Sequence, residues 1–330
     1  MRRSLMEFAG PVAALAVIVL VISLTTPTFL EANNFRNIAL QVAVLSVVAL
    51  GSTVVILTGG IDLSPGSMIA YLTMVLAVLI KLDGRPLWVG IVLTVLLGGA
   101  LGALNGFLVA YIRIPSFIVT LAGLSAFKGL ALTVGPGAAI VSLSPSLGQV
   151  FYGELAGVPL PFFYVVGLYA VGTVVLNHTT FGRRLYALGG NESAARLSGI
   201  KVNRVRLIAF VIAGACAGIG AVLLAARLNS GSPNYGALIE LQAIAAAVVG
   251  GASLAGGRGH VINTLVGVLI IVVVQNGLNL NAVATSVQSI AIGLIILLAV
   301  GIDIWRDRFA RLVSLRLGER SVPTAQEAGA

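Results

Sequence analysis

Charge is what this 330-residue chain has least of: Asp, Glu, Lys and Arg make up 9% of it, against about a quarter in a soluble domain. With 58% hydrophobic residues and a mean hydropathy of +1.06, a soluble globular fold is excluded and a polytopic membrane protein is indicated. Cysteine occurs once, at Cys216 inside an apolar run, which excludes an intramolecular disulfide and a cysteine-based metal site. The two histidines, His178 and His260, have no acid or cysteine at ligand spacing, so no metal centre is expected. No GxxxxGK[ST] run occurs, so the chain is not expected to bind ATP itself. Clustered acids or a His/Asp pair near one interface, which an intramembrane lipid-modifying enzyme needs, are missing too. An ion-coupled carrier would have only Asp62 and Glu240 as main candidates within its spans. The net charge of +9 comes from basic residues divided among loops. That distribution suits membrane topology and not a nucleic-acid partner.

What is present is a succession of apolar runs. At roughly 20 residues per span plus loops, the chain holds about ten helices in one transmembrane domain over 1–330, all-α, with no segment left for a soluble domain. The spans are read at about 8–24, 37–58, 65–80, 87–112, 115–134, 162–176, 207–226, 240–249 with its flanks, 261–280 and 285–304. Pro65 is expected at the first position of a helix that Ser64 caps. Gly98, Gly99, Gly102 and Gly106 allow close helix contact in the fourth span. Lys128 falls inside the fifth, where it needs a polar partner or an interface. The stretch 135–161 is read as the largest outer loop, with room for a short interfacial helix.

The longest polar island runs from Thr179 to Leu207 and carries Arg183, Arg184, Arg196, Lys201, Arg204 and Arg206 against one acid, Glu192. A basic loop of this kind faces the cytoplasm. Ten spans with both termini inside put fifteen of the twenty basic residues there, including those of the tail from Trp305 onward. Within the island, Asn191 is a good N-cap, Glu192 suits the first turn, and Gly199 suits a C-terminal cap, so Asn191–Gly199 reads as a short capped helix. Too short to hold alone in water, it needs something to dock on. A solvated loop that only fixes topology is the alternative.

Resemblance bears on that choice. The run LGGNESAARLSGI is similar to the cytoplasmic coupling loop of ABC importer permeases of the ribose/simple-sugar type. VVILTGGIDLSPGS, LGALNGFLVAYIRIPSFIVTLAG, IAAAVVGGASLAGGRGHVINTLVGVLI and QNGLNL follow the same pattern in the same order. Branched-chain amino-acid permeases share the loop architecture, while GIDLS and SLAGGRG favour the sugar branch. The resemblance implies a bacterial inner-membrane permease subunit, working as a homodimer or with a paralogous partner among membrane lipid. It also implies an extracytoplasmic sugar-binding protein and a separate cytoplasmic ATPase that holds the ATP and Mg. Gly189, Gly190, Asn191, Glu192, Ala194, Ala195, Arg196 and Gly199 are then the residues that dock on the ATPase, with Ala194 and Ala195 small enough for close contact.

Two apolar segments are interrupted by glycine, at Gly59–Gly60 and at Gly250–Gly251 with Gly256–Gly257. Broken helices of this kind build midplane sites or hinges in transporters; tight packing is the other reading. Asp62 is read first as a turn residue and second as part of a pathway. Asn105, Gln275, Asn276 and Asn279 are read as interhelical hydrogen-bonding groups or as the lining of a wet path.

Overall fold

The computed structural model describes residues 2–298 together with 300 and 301, with side chains from residue 9 onward. The basic tail and the end of the tenth span lie outside the described residues. The helices are α1 (Arg2–Thr25), α2 (Ala32–Leu57), α3 (Pro65–Ala77), α4 (Leu87–Phe107), α5 (Ser116–Thr133), α6 (Pro145–Tyr152), α7 (Leu160–His178), α8 (Thr180–Gly190), α9 (Glu192–Leu197), α10 (Val202–Leu228), α11 (Ile239–Val249) and α12 (Val261–Leu280). A further apolar helix, α13, covers Thr285–Leu298. Helices α3 and α4 each continue through a wider π turn, Val78–Leu82 and Leu108–Ile112.

Among the described residues, seven helices are long and apolar enough to cross a membrane, and α11, α13 and the Ala9–Thr25 part of α1 are shorter apolar helices. These are the ten apolar helices expected from the sequence. Helix α11 has 11 residues, a length of about 16 Å, or half a bilayer. The rest of that crossing is made by residues 229–238, a two-residue strand followed by a run of turns. Ser230–Gly231 (β4) pairs antiparallel with Ile140–Val141 (β1), and the backbone N–H of Ser232 reaches Thr73 of α3. The Lys128 ammonium donates to the Pro233 carbonyl and to Asn234, so the charge expected to need a partner holds this descending chain in place. The 135–161 loop contains α6 and a two-residue ladder of Glu154–Leu155 (β2) with Val158–Pro159 (β3), more order than its composition suggests.

Helix α2 is the axis of the bundle, buried continuously from Val42 to Leu57, with α10, α11, α12 and α7 around it. In a bilayer, lipid tails are as apolar as leucine, so close packing and polar contacts must hold helices together. Both are present. On α4 and α10 the glycines interleave: a methyl on Gly102 would run into the Phe210 carbonyl, and one on Gly214 into the Gly98 carbonyl. Near the start of α2, Asn34 and Asn276 of α12 exchange amide hydrogen bonds at 2.9 and 2.8 Å, both side chains buried. Asn276 thus joins two helices, the first of the two readings given to it from the sequence.

The α4–α10 contact predicts a sharp contrast between glycines. Gly214→Val should destabilise the purified protein by about 1–3 kcal/mol through overpacking, seen as a lower thermal midpoint in detergent. Gly129→Val on α5, where a side chain meets nothing within 4 Å, should leave the midpoint unchanged.

Candidate functional site

The polar island folds as two helices, where the sequence suggested one. Helix α8 starts at Thr179, whose hydroxyl accepts from the Gly182 amide, and buries Leu185 and Leu188 while Arg183 and Arg184 face out. Gly189 and Gly190 are its last residues and not a loop before the short helix. Asn191 ends α8 and caps α9, its Oδ1 accepting from the Ala194 amide at 2.9 Å. At the other end, Gly199 takes φ +79°, its N–H bonds the Arg196 carbonyl, and that of Ile200 bonds the Ala195 carbonyl. This is the left-handed helix stop for which glycine is suited. Helix α10 then begins at Val202, five residues before its expected start, so Arg204 and Arg206 stand in its first turns.

Glu192 ties the short helix down. Its carboxylate meets Arg196 at 2.9 Å and Arg206 at 2.7 Å. The Arg206 hydrogen bond, the largest effect, holds it below the ordinary carboxylate value; partial burial opposes this, and Arg196 adds to the lowering. Ala195 faces the protein interior and is 4% exposed, which corrects the expectation that both alanines face a partner. Ala194 does face outward, and Leu197, which the sequence did not single out, is 90% exposed.

Behind α9 lies a junction made of backbone. The end of α8 presses on the end of α2, where a methyl on Gly189 would collide with the Leu57 carbonyl. That carbonyl accepts from the Gly257 amide at 3.0 Å. A Cβ on Gly256 would stand 2.7 Å from the Gly59 nitrogen, and one on Gly257 2.6 Å from that of Gly190. Gly59, Gly256 and Gly257 all have positive φ, which L side chains rarely adopt. Tyr186 of α8 adds a hydroxyl bond to the Gly259 carbonyl at 2.8 Å. The two glycine interruptions therefore meet, and the end of α8 is seated on both. Gly60 and Gly250 sit beside the junction: Gly60 lies against Thr58 and Val55, Gly250 against the Asn263 backbone. Gly251, at φ +92°, turns the chain after α11.

Deeper in the bundle the starts of α3 and α11 touch through Gly66 and Gly236. Asp62 is buried and accepts from the Ser64 amide at 2.9 Å and the Ser64 hydroxyl at 2.6 Å. Asn105 of α4 donates to the same hydroxyl at 3.0 Å. Ser64 does occupy the cap position of α3, but its side chain serves Asp62 and makes no cap hydrogen bond. Glu240, also buried, places its carboxylate where a Cβ on Gly66 would go. Both acids thus lie at helix starts, where the macrodipole favours negative charge. Asp62, Ser64 and Asn105 form one group; Asn276 lies apart with Asn34.

Two measurements follow from this geometry. Gly189→Ala should lower the thermal midpoint, by overpacking worth about 1–3 kcal/mol, while Gly190→Ala, with nothing within 4 Å, should not. The Glu192 contribution, set by a depressed carboxylate, should be complete above the ordinary value of 4.5 and fade as pH falls through the folded-state value. The difference in midpoint between wild type and Glu192→Gln should shrink accordingly in acid.

Comparison with known proteins agrees with this architecture. The chain is 41% identical to the ribose import permease protein of Bacillus subtilis over 90% of its own length and 93% of that protein. It is 39% identical to the ribose import permease protein of Escherichia coli, over 88% and 91%. With the xylose transport system permease protein of Escherichia coli the identity is 36%, over 88% and 90%. No solved structure matches the chain. Residues 34–300 match the family described as branched-chain amino acid transport system / permease component, and the chain belongs to that family of membrane permeases.

Proposed function

We propose that this chain is the membrane-spanning subunit of an ATP-driven sugar importer. The observation that carries the proposal is its similarity, over about nine-tenths of its length, to two ribose permeases and a xylose permease. A pentose or a related sugar, handed over by an extracytoplasmic binding protein, is the substrate on this reading. The chain pairs with a second copy or a paralogue. The basic island faces the cytoplasm, with both termini on the same side. A separate ATPase supplies the energy and carries the ATP and Mg, in keeping with a sequence that has no phosphate-binding loop.

Helix α9 is the element that meets the ATPase in this proposal. Its outer face offers Leu197 and Ala194, and its inner face is fixed by Ala195 and by the Glu192–Arg206 pair. Movement of α9 passes through Asn191 into α8, and from the end of α8 into the backbone junction. From there it reaches α3 by the 58–64 turn and α12 by the 250–260 turn together. A push on one short helix thereby moves the start of α3 and the turn before α11, which meet at Gly66 and Gly236 and where the pathway is expected to open.

Uptake by proteoliposomes tests the proposal, with an ATPase and a binding protein identified by co-purification with this chain and labelled ribose and xylose as substrates. Leu197→Glu should weaken co-purification of the ATPase by roughly tenfold, each tenfold being about 1.4 kcal/mol, and abolish ATP-dependent uptake. Gly199→Val should do the same by forcing a β-branched residue into positive φ. Normal uptake and normal ATPase binding by both variants would reduce the island to a topological loop. Uptake driven by an ion gradient without the ATPase would make the chain a secondary carrier.

A further inference from the structure

Beside helix α9 lies a basic cavity to which the transport proposal assigns no ligand. It has a volume of about 410 Å³ and is enclosed by the end of α2, the turn from α4 to α5, and the α9–α10 segment. Arg113, Arg196 and Arg206 line it, with Glu192 as its one carboxylate. A second cavity of about 260 Å³ adjoins it, sharing Arg196 and Asn203 and adding Lys201 and Arg204. Five cations therefore surround a single carboxylate, which Arg196 and Arg206 already share. Arg113, Lys201 and Arg204 have no ion-pair partner among the described residues. Arg113 is held in the turn at φ +66°, and the next helix, α5, opens at the cavity with Pro115 at its cap position and no side-chain cap. Its first amides add to the positive potential.

The mouth of these cavities adjoins an apolar wall. Phe107, Tyr111 and Ile112 at the end of α4 and Phe117 and Ile118 at the start of α5 are all exposed, and the Phe107 and Tyr111 rings stack at 5.5 Å. Apolar side chains flanking basic groups at a membrane surface match a ligand that is itself half anion and half hydrocarbon. Basic pockets between transmembrane helices are suited to phosphate headgroups, and arginine binds phosphate oxygens through paired N–H donors. The geometry points to a binding site for the phosphodiester headgroup of an anionic membrane lipid, with its acyl chains along the α4–α5 wall. A free phosphate ion would satisfy the arginines and leave the wall unused; so would an acidic segment of a partner protein. The inference depends on the chain being a membrane protein and on neither its substrate nor its orientation.

Native mass spectrometry of the purified full-length chain in neutral detergent tests this, with phosphatidylglycerol, phosphatidylcholine and inorganic phosphate as probes. Phosphatidylglycerol should bind in preference to phosphatidylcholine and raise the thermal midpoint. Arg204→Gln at the rim, and Arg113→Gln in the turn, should each weaken that preference by about fivefold, the effect of one basic residue at an anionic surface. Arg183→Gln, outside both cavities, should not. Because Arg204 lies in an exposed position, its variant keeps the test open even if the Arg113 change perturbs folding. Equal binding of the two lipids, or an unchanged preference in Arg204→Gln, would overturn the site. Inorganic phosphate stabilising the protein as strongly as phosphatidylglycerol would assign the arginines to a free anion and overturn the lipid. Loss of all bound lipid when the ATPase subunit is added would assign the cavity to that partner instead.

Discussion

The Leu57 carbonyl is the point on which one end of the bundle depends. As one of the last carbonyls of α2 it has no partner within its own helix, a condition common to every helix end. It accepts from Gly257, while the end of α8 lies against it with only a hydrogen atom between Gly189 and the oxygen. One acceptor thereby fixes three chain segments that are far apart in sequence. Side chains are absent from this contact because no space exists for them. The link between segments is thus as stiff as backbone and hydrogen bond allow, unlike one mediated by rotatable side chains.

The buried polar groups follow the rule that an apolar medium imposes. A hydrogen-bonding group without a partner there costs several kcal/mol, and the acids and amides of this bundle are accordingly engaged. Asp62 takes both donors of Ser64, Asn105 supplies a third bond to that hydroxyl, and Lys128 holds the descending chain before α11. Among the described residues the Ser52 hydroxyl is the single buried side-chain polar atom without a hydrogen bond. The helix starts at Gly66 and Gly236 can meet because neither has a side chain and because carboxylates lie beside the amide ends.

Most of this architecture was legible in the sequence. Long apolar runs locate the spans, because no other structure satisfies the backbone in lipid, and the N-cap and C-cap of α9 could be read from Asn191 and Gly199. Helix α8 was less visible. TFGRRLYALGG holds three glycines and two adjacent arginines, which score as loop. Its signal was the spacing of Phe181, Leu185 and Leu188, one face of a helix. The inward face of Ala195 and the outward face of Leu197 depend on how α9 lies on α10, which is set by the Glu192–Arg206 pair 14 residues apart. The meeting of the two glycine interruptions is a tertiary fact that no local pattern encodes.

The amide pair of Asn34 and Asn276 carries a consequence for how such a chain can change over evolutionary time. Each carboxamide gives the other a donor and takes from it in return, so the contact is complete only while both positions hold amides. Aspartate at either one would set two oxygens face to face, and an aliphatic residue would strand the remaining amide in a dry interior. Two positions 242 residues apart are thereby bound into a single heritable unit. In related chains they should be found altered as a pair or not at all.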